Sequence, residues 1–583
     1  MLLPVSSIAG GYVRSVTSHK QLGRILFVVL LCVFLLLVAA LADSPELWVE
    51  GCVPSSEGGV DGVCWWYSQQ DRQYYLFLPA CADPSRLTVH FSGAEKLTID
   101  GAAVNNGDAV SFAAGQSVAV TLDGKSYPLS VMQSANVSAL FMETESGSLS
   151  YIHKRKGNKE SGTLLMADKD GAVVYNGALK EIKGRGNATF QYNKKPYQIK
   201  LADKTDLLGM GKHKTWVLLA NFHDNSLIRN TLTFQMARAA GLAYTPRSAF
   251  CDVYINREYL GTYELCTKVQ IDEVRLDIAD LEKATEEAND KPLDEYPKFG
   301  YTNAENGRRK GRSIPNDPED ITGGYLLELE YANRYSGEAS GYTTKKGQPI
   351  VIKSPEYASE AQTLYISQLL QSIENGLRAR DGVDTVTGKH YSELIDMDSF
   401  VKKYLIEEIV KNYDGNKSSQ YFYKPADSVS TKLFAGPVWD YDSSYGNYEG
   451  SRKRASATVL KVCKDYGQSY YWYPAAYRQA DFRWQAQELY VTVFKPILEA
   501  VLSDEPGTEE LRTLSELEAH LESSAAMNFT RWPVFNNPAR PIETGATYAE
   551  NIQYIRTFLT ERMAFLEEEW VIPYEKGEVA AEP

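Results

Sequence analysis

Two aspartates one residue apart, Asp440 and Asp442, close the run Phe434-Ala435-Gly436-Pro437-Val438-Trp439-Asp440-Tyr441-Asp442. On a strand, alternate residues face one side, so this spacing predicts two carboxylates presented together. Hard oxygen donors in a pair suit Mg²⁺ shared with phosphates and water. Upstream, Glu407-Glu408-Ile409-Val410-Lys411-Asn412-Tyr413-Asp414-Gly415-Asn416 reads as an apolar helix ending in a polar loop. An aspartate in such a loop orients an acceptor hydroxyl and takes its proton, and a nearby asparagine ligates a metal. A third stretch, Lys183-Gly184-Arg185-Gly186-Asn187, is followed by Lys194-Lys195-Pro196-Tyr197-Gln198-Ile199-Lys200-Leu201. Glycines let backbone amides approach phosphate oxygens, and a strand lysine some residues on neutralises them. Each stretch also has a bland reading: a Gly-x-Gly turn, an Asp-Gly helix stop, a solvent-facing strand end. Their order decides. A glycine turn, a strand lysine, a helix, an Asp loop and a later Asp pair follow one another as the parts of a phosphotransferase do.

The elements that must position these residues are legible in outline. Residues 43–133 alternate short β-branched or aromatic runs with turn signals such as Asp100-Gly101 and Asp123-Gly124, which predicts a small β-sandwich. From 134 to 485 the pattern is mixed. One helix is expected from Asp224 or Ser226 towards Gly241, and Asp398 is expected to cap another that carries Val401, Leu405 and Ile409. The polar stretch 281–320 reads as a loop, and 486–583 as a helical subdomain and tail. The fold class expected is therefore α+β.

Residues 1–24 carry Arg14, Lys20 and Arg24 and no acid, ahead of the apolar run Ile25–Ala42. That pattern predicts a signal peptide, with an A-x-A-like site at Ala40–Ala42, or a signal anchor, and either exports residues 43–583. The expected location is extracytoplasmic, membrane-anchored or secreted. Six cysteines lie beyond this run; Cys52 with Cys64 or Cys81, and Cys251 with Cys266, are candidate pairs. The net charge of −14 makes nucleic acid a poor partner. The sequence contains no HExxH, GxSxG or CxxC. Leu208-Gly209-Met210-Gly211-Lys212 fails as a P-loop, because Asp206 stands at its first glycine position and His213 replaces Ser or Thr.

These stretches resemble the CotH kinase family. The likeness runs over about 137–485 and rests on Lys183–Asn187, Lys194–Leu201, Trp216–Arg238, Val253–Val269, Gly323–Glu330, Val351–Glu356, Asp398–Tyr423 and Gly436–Asn447. The resemblance implies an atypical protein-kinase-like domain that uses ATP and Mg²⁺ or Mn²⁺ to phosphorylate serine on exported proteins. By motif, Asp414 takes the catalytic role and Asp440 the metal, with Asn416 and Asp442 as further metal ligands. Lys200 takes the phosphates, with Lys195 as its alternative; Arg185, Gly186, Asn187, Glu328 and Trp439 complete the nucleotide set. Two departures stand out. The helix Ser226–Ala240 has no glutamate to pair Lys200, so Asp224 or Glu328 must serve, and Thr267 replaces a family-typical acid. An alternative function is a surface-binding or adhesion protein that retains an inactive scaffold.

Overall fold

A computed structural model describes residues 45–54, 60–303, 307–447, 456–464, 466–535 and 545–582. The expected leader, residues 1–42, lies outside the described residues. Among those described, no helix is long and apolar enough to cross a membrane.

The N-terminal strands form two sheets. Glu46–Glu50 pairs with Val63–Cys64 and Leu87–Ser92, and Asp108–Val110 joins at the edge. The second, six-stranded sheet is centred on Gln73–Leu78, Lys125–Gln133 and Ser117–Leu122. Alternation decides what faces inward: Val118, Val120 and Leu122 are buried while Ser117 and Ala119 are exposed. Leu47, Val49, Leu76, Val89 and Leu129 join the same core. That core continues past residue 133, taking in Ala139, Phe141, Leu165, Ala167, Tyr254 and Tyr259.

Those six residues lie on the outside of a closed seven-stranded barrel, ordered Ser138–Thr144, Lys159–Ala167, Val173–Gly184, Tyr197–Asp206, Lys212–Leu219, Glu258–Thr267 and Ser248–Ile255. Residues of opposite parity fill its interior, including Leu140, Leu164, Ile199, Leu201, Trp216, Leu218 and Val253. Closure gives every strand two neighbours and leaves no edge in the ladder.

A second sheet of seven strands follows, with Tyr325–Leu329 between Pro349–Ser354 and Gln420–Lys424. Helices pack on it and on one another. Glu360–Arg378 starts at a capping box of Ser359 and Gln362; Met397–Ile409 and the C-terminal helices Leu514–Arg531 and Tyr548–Leu566 share its core. The result is an α+β molecule.

Several sequence expectations shift. Asp396, not Asp398, caps the helix Met397–Ile409 by accepting from Ser399 N–H, and Asp398 pairs with Lys402 at 2.8 Å instead. The helix expected from Asp224 starts at Arg229, because Asp224 turns the chain first by accepting the N–H groups of Ser226 and Arg229. The stretch 281–320 is not a plain loop. Asp280 caps the helix Leu281–Glu287, and Lys298–Asn303 pairs with Gly307–Arg312 to form the charged edge of the open seven-stranded sheet. A boundary at 485 falls inside the helix Ala480–Leu489. All six described cysteines are free. Cys251 points into the barrel and Cys266 into the helical core, so this proposed pair sits on opposite faces of the sheet.

Candidate active site

The turn that joins two barrel strands carries the first candidate residues. Val173–Gly184 runs into Arg185-Gly186-Asn187 and returns along Tyr197–Asp206. Gly186 has φ +80°, and a Cβ there would lie 2.0 Å from Thr189 Oγ1. Only glycine closes the turn this tightly. A Cβ on Gly184 would in turn collide with the Phe190 ring.

Across from this turn lie the acids. The helix Met397–Ile409 ends at Val410, and the chain turns so that Tyr413 N–H donates to Ser443 O at 3.0 Å. That bond ties the Asp414 loop to the Asp442 loop. The second loop is anchored by the start of the helix Arg229–Ala239: Asn230 Oδ1 accepts from Tyr441 N–H at 2.7 Å, and Arg229 Nε donates to Ser444 O at 3.1 Å. The strand predicted through Asp440 ends at Ala435. Asp440 and Asp442 share a side because of this loop rather than a strand's alternation, and Asp440 adopts φ +71°. A non-glycine residue held there stores backbone strain, a state often found where a side chain must be aimed.

These parts enclose one cleft of about 660 Å³. Asp414, Asp440, Asp442 and Glu328 line it together with Lys183, Arg185 and Lys353. Tyr331 hydroxyl donates to Asp414 Oδ1 at 2.6 Å, Ser419 to Asp440 at 3.0 Å, and Ser443 to Asp442 at 3.2 Å. Burial pushes the Asp440 carboxyl up to about 6, helped by the charge of Asp442 and opposed by Ser419 and Arg185. Asp442 also rises to about 6, through burial and then Asp224. Burial likewise raises Asp414, with the Tyr331 hydrogen bond opposing it and Asp440 adding to it. Glu328 is pushed to about 7 by burial, against the pull of Lys353 at 3.6 Å. Desolvation thus holds these carboxyls above their usual range even though cationic side chains line the same cleft.

A model of the CotH kinase protein family matches residues 182–566, about two thirds of the chain. The chain belongs to the CotH kinase family. Membership makes it, at a coarse level, a kinase-like phosphotransferase. No curated protein matches it. The matched span of this CotH chain includes both sides of the cleft and extends through the helix Tyr548–Leu566.

The cleft gathers eight of the residues singled out by sequence: Arg185, Gly186, Asn187, Glu328, Asp414, Trp439, Asp440 and Asp442. Trp439 stacks against Phe234 and sits under the Arg185 guanidinium at 5.3 Å, so it is a core residue that also holds Arg185. Three expected residues lie elsewhere. Lys200 is exposed on the barrel's outer surface beside Lys180 and Lys214, since Ile199 and Leu201 take the inward positions. Lys195 Nζ staples its own turn by donating to the carbonyls of Phe190 and Tyr192. Asn416 donates Nδ2 to Val462 O at 2.7 Å and lines a different cavity, so it is no ligand to a metal at Asp440.

Lys353, which lies in the quoted stretch Val351–Glu356 but was given no role from sequence, is the amine that faces Glu328. It ends the apolar run Ile350-Val351-Ile352 on the strand Pro349–Ser354, and Glu328 is registered opposite Val351. A strand lysine after three β-branched residues is the signal that could have found it. Lys183 opens the glycine stretch quoted from the sequence but was given no role there. Arg334 and Tyr331 were missed as well, and nothing in their local sequence separates them from ordinary surface residues.

Among the described residues no group of three or more His, Cys, Asp or Glu side chains is gathered to hold a metal ion. Asp440 and Asp442 nevertheless fit a cation whose remaining ligands are phosphate oxygens and water, as Mg²⁺ prefers. Their carboxyls are raised first by burial and then by neighbouring acids, which the cations Arg185 near Asp440 and Arg229 near Asp442 only partly offset.

Proposed function

We propose that this chain transfers the γ-phosphoryl group of ATP to a serine hydroxyl on an exported protein. One observation carries the reading: three half-buried carboxyls, Asp414, Asp440 and Asp442, line a single cleft with Lys183, Arg185 and Lys353. The barrel and its glycine turn form the phosphate-binding side, and the helical half the acceptor side, of a kinase-like arrangement. Backbone amides of the Arg185–Asn187 turn, with Arg185, Lys183 and Lys353, bind and orient the phosphate oxygens. Asp414 orients the incoming hydroxyl and accepts its proton as the oxygen bonds to the γ-phosphorus and ADP leaves. Its raised pKa strengthens it as a base, and the Tyr331 hydroxyl holds the carboxylate in place. Mg²⁺ or Mn²⁺, held by Asp440 and Asp442, would supply charge neutralisation at the phosphates. Most of the rate then comes from placement and electrostatics. Export is supported by the basic flank and apolar run of residues 1–42.

The test incubates the full-length chain with ATP, Mg²⁺ or Mn²⁺ and a serine-rich acceptor, read by intact mass. The acceptor should gain one phosphoryl group, and Asp414→Asn and Asp440→Asn should each lose at least about 10²-fold in rate. Full transfer by both variants would remove the assignment. Absence of any thermal shift with Mg²⁺ and nucleotide would favour the surface-binding alternative.

A further inference from the structure

A second cavity, of about 420 Å³, adjoins the cleft through Tyr331. Tyr331 lines this cavity while its hydroxyl bonds Asp414, so one side chain separates the cavity from the proposed proton acceptor. Two buried amides line it too. Asn416 is 6% exposed and Gln348 1% exposed. Asn416 Nδ2 donates to Val462 O, and Gln348 Nε2 to Pro349 O at 3.2 Å. Those bonds fix which way each amide points, and Asn416 Oδ1 and Gln348 Oε1 are left with no partner. A buried acceptor without a donor is unfavourable by about 1–3 kcal/mol, so two in one cavity mark a place where donors arrive with a ligand.

The rest of the wall narrows the ligand's chemistry. Tyr413, Tyr470 and Tyr471 supply flat ring surface. Lys461 and Lys417 line the cavity as well, the former donating to the carbonyls of Asn412 and Tyr413 and the latter over the Tyr413 ring. Glu330 lines it too, but its carboxylate already accepts from Ser418 Oγ and Tyr331 N–H and pairs with Arg334. The two cations therefore disfavour a charged amine or guanidinium as the donor. A neutral amide fits, and the rings favour an aromatic neighbour.

We propose that this cavity is the acceptor subsite: it takes an extended, uncharged peptide segment bearing an aromatic side chain, whose amide N–H groups pair with Asn416 Oδ1 and Gln348 Oε1. Its purpose, presenting a nearby serine to Asp414, rests on the phosphotransfer reading above; its binding chemistry does not.

Saturation-transfer NMR on the full-length chain tests it without nucleotide, using N-acetyl-phenylalanine N-methylamide and the matching methyl ester, which lacks one donor. The amide should bind about tenfold more tightly than the ester, one hydrogen bond's worth. Gln348→Met should erase most of that margin, and the part-exposed Tyr470→Ala should weaken both probes alike, while melting stays close to that of the unaltered chain. Equal affinity for amide and ester, or no binding of either, overturns the proposal, and so does an unchanged margin in Gln348→Met or unchanged binding in Tyr470→Ala. An intact amide preference in a chain that shows no response to nucleotide would sink the phosphotransfer reading and leave the peptide site standing.

Discussion

Which amine faces the cleft turns on strand parity. Lys200 follows Ile199, whose side chain fills the barrel, so Lys200 points to solvent. Lys353 lies near the end of its strand at the cleft, within 3.6 Å of Glu328 and 3.4 Å of Glu338. Those two acids outweigh the burial that would drive its proton off, and the ammonium is kept charged. Lys353→Met should therefore weaken binding of a non-hydrolysable ATP analogue by about 10–100-fold, the worth of a charge-assisted contact. Lys200→Met should leave it within about twofold; calorimetric titration separates the two. The same acids give the fold a pH signature. Glu328 titrates near 7 in the folded chain against 4.5 as a free side chain, and Asp440 and Asp442 near 6 against 3.8. The folded state thus binds more protons than the unfolded one across that interval, and stability falls as pH rises from about 4 to 7. The fall should be on the order of a few kcal/mol by denaturant titration at pH 5 and 7.5, and Glu328→Gln should flatten it.

At the scale of elements, the helix Tyr548–Leu566 reaches the site through a single buried cation. Arg562 donates to Glu408 Oε1 at 2.8 Å and to Glu408 O at 2.7 Å. Glu408 accepts the backbone N–H groups of Lys461, Val462 and Cys463. That segment returns two supports: Val462 O holds Asn416, and Lys461 Nζ holds the carbonyls of Asn412 and Tyr413 beside Asp414. Arg562→Leu leaves Glu408 buried without its counter-ion and should destabilise the chain by about 3–5 kcal/mol in denaturant titration, with slowed transfer. No local pattern announces this chain of contacts. The acids themselves were legible, because Asp414, Asp440 and Asp442 sit in long, distinctive stretches whose order along the chain is informative. Lys353 was not, since its facing depends on the pairing of Pro349–Ser354 with Tyr325–Leu329. The edge hairpin Lys298–Arg312 was misread as loop for a related reason. Its polar residues carry no hydrophobic alternation, and its strands exist because a neighbour, Gly341–Thr343, offers a free edge.

For the whole molecule, the question is whether the N-terminal sheets are a detachable module. Their core argues against it. Phe77 packs on Tyr259 with ring centroids 4.8 Å apart, and Tyr254 stacks on Phe141 at 4.7 Å within the same cluster. Arg257 lies over Trp48 at 4.9 Å, and Cys64 N–H donates to Arg257 O. The helix Leu514–Arg531 joins both regions: Met527 enters the shared core, while Asn528 Oδ1 accepts from Lys194 Nζ at 2.8 Å. Lys194 lines the cleft and is held near 7 by burial. Removing residues 1–133 would expose the barrel's apolar outer face and unseat Met527, one residue from the asparagine that fixes Lys194. The truncated chain should melt several degrees lower and bind a hydrophobic dye that the full chain excludes. Its thermal response to Mg²⁺ and nucleotide should shrink as Lys194 loses its anchor. A truncated chain that melts like the full one, with an equal nucleotide response, would show that the barrel's outer face tolerates water and that the sheets serve some purpose apart from the cleft.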